Sequence, residues 1–306
     1  MSSEAPAIKN GPDPLIYRAG DFIRTIAKLV QADIIKLANY WVVIAGYAAM
    51  VGIASLGAYL IFHAEQAIAI KSGSGYAFAI SLVLRCVDFG APILYVMICI
   101  LFALEVSNST IKYILTRPVT RLELIISKYI TAMLMIILAI AIFWVISLAT
   151  GWYFYGLGDL VENEYKIFSA SYMYKEMLIG TIMLLIPFAA LAAMALMIST
   201  YSSTMGGSII IGLIAWVFFQ ILGLIPTTLG ITFSWKGEEH LFPYMTIGFP
   251  SQRYVPMYIL DDLPTGLPIE TWWTWDIQKM ILICGIFFIV FFIISVIGVK
   301  KRDFTL

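Results

Sequence analysis

Between Glu105 and Lys128 the chain carries residues whose types and spacing suit gripping rather than bond-making: Glu105, Ser109, Thr110, Arg117, Pro118, Arg121, Glu123 and Lys128. Arg117 and Arg121 flank a turn, and a guanidinium fork forms paired hydrogen bonds to carboxylate or carbonyl groups. Asn108, Ser109 and Thr110 offer N-cap side chains for a short helix ending near Leu115. Arg117-Pro118 stops that helix, because the residue before a proline is pushed out of the α region. Thr120 followed by Glu123 is a capping box, so a second helix starts there and runs into the apolar sequence beyond. The expectation is a helix, a proline turn and a helix start, all at one membrane face. Taken alone, these residues fit equally an ordinary, well-capped amphipathic loop.

A second pair sits inside an apolar run. Arg85 and Asp88 are spaced i, i+3 and share one helix face. A lone charge at the bilayer centre costs roughly 2.5–3.5 kcal/mol on insertion scales, so pairing is expected. The two read either as a structural salt bridge near the outer interface or as the polar rim of a translocation path. Little else suggests reaction chemistry. There is no GxxxxGK[ST], so no phosphate-binding loop is expected on this chain. His63 and His240 stand alone, and a metal site needs several ligands. Asp261-Asp262 is followed by Pro264 and reads first as a solvated turn. Cys86, Cys99 and Cys284 all fall in apolar runs, which excludes an exposed disulfide framework and a spaced metal motif. The expectation is a chain without catalytic residues, metal or cofactor of its own.

The order Glu105, Ser109-Thr110, Leu115-Thr116-Arg117-Pro118-Val119-Thr120-Arg121, Glu123-Leu124, Lys128 resembles the signature of ABC-2 type transporter permeases. That family has a glutamate, three residues, Gly-Thr, an apolar segment, Arg-Pro-Val-Ser/Thr-Arg and a downstream lysine. Ser109 stands where the family has glycine. The resemblance implies a cytoplasmic coupling helix in 105–128, with Glu105, Ser109, Thr110, Arg117, Pro118, Arg121 and Glu123 as ATPase-coupling residues. It also implies cytoplasmic ATPase subunits that bind ATP and magnesium, and a second permease copy or a paralogue as dimer partner. The implied function is the membrane subunit of an ABC exporter. Its rival is a subunit that transmits force to an extracytoplasmic partner without moving a cargo, as the resemblance to the nitrous-oxide-reductase maturation permease suggests.

The elements that must position these residues are long and apolar. Of 306 residues 61% are hydrophobic and 12% charged, with mean hydropathy +0.92. Soluble domains carry about 25% charged residues, so this is an all-α, multi-pass membrane protein. Nucleic-acid binding is excluded, because no basic patch is interleaved with aromatics. Residues 15–39 are amphipathic: Phe22, Ile26, Leu29, Val30, Ile34 and Leu37 oppose Asp21, Arg24, Lys28 and Gln31, as in a helix lying in the interface plane. Six spans follow by the rule of about 20 apolar residues per crossing. They are Trp41–Phe62, Phe78–Leu104, Tyr129–Trp152, Met177–Ile198, Gly207–Leu229 and Met280–Val299, with Ser199–Thr204 and Gly206-Gly207 as the turn that divides the fourth from the fifth.

Most lysines and arginines, including Lys36, Arg117, Arg121, Lys128 and Lys300-Lys301-Arg302, then share a side with both termini. The positive-inside rule makes that side cytoplasmic, in a cell-membrane protein. The segment 230–278 lies on the other side. Its five prolines, apolar stretches and Trp272, Trp273 and Trp275 predict short re-entrant or interfacial helices, and a site for an extracytoplasmic partner if there is one.

Overall fold

The computed structural model describes residues 14–68, 73–108, 110, 119–162, 165–229, 232–235, 238–241 and 275–302. Seven helices account for most of them. They are α1 (Pro14–Ala38), α2 (Trp41–Ile68), α3 (Gly75–Ser107), α4 (Arg121–Tyr155), α5 (Ala170–Tyr201), α6 (Met205–Leu229) and α7 (Trp275–Lys301). Five of them, α2, α3, α4, α5 and α7, are long and apolar enough to cross a membrane.

Successive helices alternate in direction, so one end of the bundle gathers α1, the end of α3, the start of α4, the α5–α6 turn and the end of α7. That end is called the α1 end below. The other end holds the α2–α3 and α4–α5 connections. The centre is α3, which packs on α2, α4, α5 and α6. A helix apolar all round must be buried or face lipid; α3 is buried nearly throughout, with Phe78, Tyr95 and Phe102 fully enclosed. The Ser208 hydroxyl of α6 donates to the Cys99 carbonyl at 2.7 Å, and Gly212, one turn on, lets α6 approach Cys99 closely. At 33 and 35 residues, α3 and α4 are about 50 Å long, well beyond the roughly 30 Å of hydrocarbon. Their surplus turns carry the charged residues of the α1 end.

Several expectations meet the structure directly. The amphipathic helix expected at 15–39 is α1, with Ile26, Val30 and Leu37 buried. The expected turn between the fourth and fifth apolar stretches falls at Ser202–Thr204, where the Thr204 hydroxyl accepts from the Gly207 amide and starts α6.

Two differences stand out. Leu160–Glu162 (β1) pairs antiparallel with Tyr165–Phe168 (β2), and Thr232–Trp235 (β3) with Glu238–Leu241 (β4). Where short helices were expected at the start of 230–278, the described residues form a hairpin instead. Thr232, Phe233 and Trp235 favour strands, and only Lys236-Gly237 separates the two runs, which suits a tight reversal. Residues 242–274 lie outside the described residues.

The end opposite α1 is closed by backbone contact. The Gly75 amide donates to the Gly156 carbonyl at 3.0 Å, and a Cβ on Gly75 would meet the Gly151 carbonyl oxygen at 2.6 Å. Gly156 ends α4 at φ 73°, a conformation glycine adopts without strain. Phe62 of α2 stacks on Phe154 of α4 at 4.0 Å between ring centroids. Lys166 pairs with Asp159 at 2.6 Å in the open, with side chains 54% and 38% exposed.

Candidate functional site

At the α1 end the helix start at Thr120 is built as its sequence predicts. The Glu123 amide donates to Thr120 Oγ1 at 3.2 Å, and Glu123 Oε2 accepts from the Thr120 amide at 2.6 Å and its hydroxyl at 2.8 Å. This reciprocal cap sets the direction in which α4 leaves the insert. On the other side of the insert, Asn108 closes α3 through its amide to the Leu104 carbonyl. Thr110, in helical conformation, donates its hydroxyl to the Glu105 carbonyl at 3.3 Å. Ser109, Arg117 and Pro118, with the short helix expected to end near Leu115, lie outside the described residues.

The two feet of the insert meet in a buried ion cluster. Lys128 Nζ lies 2.6 Å from Asp33 Oδ1 and 2.7 Å from Glu105 Oε1, while Lys36 Nζ lies 3.1 Å from the same Glu105 oxygen. Lys128 and Glu105 side chains are 3% and 2% exposed. One ammonium thus bridges carboxylates from α1 and α3 while standing on α4. Asp33 Oδ2 and Glu105 Oε2 find no hydrogen-bond partner among the described residues. In such a cluster the pairing offsets burial, and loss of one partner leaves a buried charge with an uncompensated desolvation cost. Burial pushes the Asp33 carboxyl above the ordinary aspartate range, with the nearby Glu105 charge adding to the effect and Lys128 opposing it.

Arg121 serves a second attachment. Its Nη1 donates to the carbonyls of Val299 at 2.8 Å, Lys300 at 2.6 Å and Arg302 at 3.1 Å. The last carbonyls of a helix have no intrahelical partner, so a cation there satisfies both hydrogen bonding and the helix dipole. Arg302 repeats the device at the end of α5, donating to Thr200 at 2.6 Å and Ser202 at 2.8 Å. Phe102, Leu124, Ile125 and Val299 form a small separate core beneath these contacts. Within the chain this guanidinium therefore joins the start of α4 to the end of α7.

Asp33 and Arg302 were not singled out by sequence. For Asp33 a signal was present: Ile26, Val30, Asp33 and Leu37 follow one another at helical spacing, so the acid stands in the buried stripe of α1. Arg85 and Asp88 are not part of this site. Seventeen to twenty residues of α3 separate them from Glu105, about 25–30 Å along the axis. Arg85 is exposed and Asp88 half-buried. Among the described residues no group of three His, Cys, Asp or Glu side chains is arranged to hold a metal ion.

Long apolar helices around a central α3, clamped at one end by buried charge, define a polytopic membrane protein with one polar attachment end. The family model for ABC-2 family transporter proteins matches residues 29–219, from within α1 to within α6, and the chain belongs to that family. It is also similar to the bacitracin transport permease protein BCRB of Bacillus licheniformis, at 30% identity over 128 residues, or 41% of this chain. The matched stretch spans 58% of that relative's length. The chain is therefore an ABC-2 type permease, a membrane subunit of a transporter.

Proposed function

We propose that this permease works with cytoplasmic ATPase subunits as an exporter, and that 105–128 is the element they push. The observation that carries the reading is Lys128, which ties both feet of the insert to α1 through Glu105 and Asp33. A displacement of the insert is thereby passed to α3, α4 and α1 together rather than absorbed in a loop. Arg121 and Arg302 extend the connection to α7 and α5. On this reading the α1 end is cytoplasmic, α6 also crosses as the fifth of six spans, and two copies or a copy and a paralogue form the pathway. Glu105, Glu123 and Arg121 hold the insert in place, while Ser109, Thr110, Arg117 and Pro118 shape the part offered to the ATPase. The cargo fitting such sparsely charged spans is apolar or amphiphilic, in keeping with the name of the bacitracin permease.

The test compares Arg117→Ala with Lys128→Met in nanodiscs, reading ATPase pull-down and substrate-stimulated hydrolysis. Arg117→Ala is expected to weaken ATPase capture with thermal stability unchanged. Lys128→Met is expected to uncouple hydrolysis from movement and to lower stability as well. Full capture and full coupling in both variants would remove the insert from the mechanism.

A further inference from the structure

An apolar slot of about 350 Å³ opens where α1 meets α2 and α4, between Ile34, Ala38, Val43, Tyr47, Met135 and Leu138. Ligand pockets begin near 300 Å³. From Thr131 to Leu138 the slot runs about 10 Å along α4, from the level of α1 into the apolar bundle. The polar atoms at its walls are already used: the Tyr47 hydroxyl donates to the Met135 carbonyl at 3.1 Å and Thr131 to the Ser127 carbonyl at 2.9 Å. An apolar slot running in this direction fits a hydrocarbon chain and offers nothing to a polar ligand.

The surface around the mouth says what the chain belongs to. On α1, Ile23 and Ile35 are 69% and 57% exposed, and Ile34 is 46% exposed at the slot itself. Arg24 and Lys28 stand exposed on the same helix, about 15 and 9 Å along its axis from Ile34. An apolar face bordered by cations is the pattern of a helix seated in an anionic lipid surface. We propose that the slot is a binding site for one acyl chain of an anionic bilayer phospholipid, with Arg24 and Lys28 toward its headgroup. Binding depends on α1 lying at the membrane interface and not on any ATPase. Because Ile34 follows Asp33, and Thr131 lies one turn beyond Lys128, a lipid seated here stiffens two of the three helices that carry the buried ion cluster.

The test uses the whole chain in nanodiscs with phosphatidylglycerol bearing a photoreactive group in one acyl chain, and peptide mapping of the adducts. Adducts are expected to concentrate in 34–47 and 131–138, about tenfold above the equally exposed face of α7 at Leu282, Ile286 and Ile289. Ala38→Trp, which fills the mouth, should remove that excess, and Arg24→Ala with Lys28→Ala should lower preference for phosphatidylglycerol over phosphatidylcholine by about fivefold per cation. An even spread of adducts over all lipid-facing helices in the native chain overturns the proposal, as does a native-chain excess that is indifferent to headgroup. ATPase pull-down from the same preparation separates this outcome from a failure of the coupling reading.

Discussion

Two lysine–aspartate pairs of the same length, 2.6 Å, sit at opposite ends of this bundle and do different work. Lys128–Asp33 is buried, shared with Glu105 and joins three helices. Lys166–Asp159 is open to solvent and lies on a short hairpin beside an end that backbone contact already closes. Distance is identical; surroundings decide the consequence. In the open, water competes with the pair and removal of one partner leaves the other solvated. In the bundle the abandoned partner stays desolvated, so the cluster resists partial change. The α1 end is thus held by buried side-chain charge, the opposite end by close steric fit.

The largest effect is expected from Lys128→Met, which strands Asp33 in the bundle and leaves Glu105 to Lys36 alone, at about 3–5 kcal/mol. Thermal unfolding in nanodiscs measures it. Adding Asp33→Leu should restore part of the loss, and a double variant no better than the single would show that the charges are not coupled. Next comes Gly151→Ala at the opposite end. Its Cβ has no room against the Gly75 backbone, and the expected loss is about 2–3 kcal/mol through overpacking, with ATPase capture unchanged. A loss of capture there would erase the distinction between the ends.

Arg121→Ala leaves the carbonyls of Val299 and Lys300 to water, at about 1–2 kcal/mol because the side chain is partly exposed. Faster proteolysis at the end of α7 is the readout, and unchanged proteolysis would deny Arg121 its anchoring role. Smaller still are the two aspartates' responses to pH, which have opposite sign. Asp33 has a raised native pKa, so the folded state takes up its proton first. Its contribution to stability is largest below the ordinary aspartate value of about 4 and is lost as pH rises through the native value. Asp159 is held below the usual range, first by its hydrogen bond from Lys166 and then by the Ala170 amide. Its contribution is present above about pH 4 and is lost as pH falls through the depressed value. Stability–pH curves of the native chain against Asp33→Asn and Asp159→Asn check both signs. Last, Lys166→Ala should lower the melting temperature only slightly, far less than Lys128→Met, which sharpens the contrast between the two pairs.

What the sequence determined by itself was whatever depends on neighbours along the chain. The long apolar runs set the helices, Thr120 and Glu123 wrote the start of α4, and Thr204 with Gly206-Gly207 marked the start of α6, because caps and turns are made over three or four residues. The order from Glu105 to Lys128 was enough to suggest the family. Partners far apart were decided only by the tertiary structure. Nothing local assigns Lys128 to Asp33, ninety-five positions away, or Arg121 to the end of α7. A charge on a helix records that a partner is needed but not which of several opposite charges or free carbonyls supplies it. The hairpin at 232–241 was missed for the related reason that short apolar runs suit strand and helix alike until pairing chooses between them. Burial made the same choice for the acids: Asp33 and Asp159 are the same residue type beside the same kind of cation, and only the packing around each one sets the direction in which its proton affinity moves.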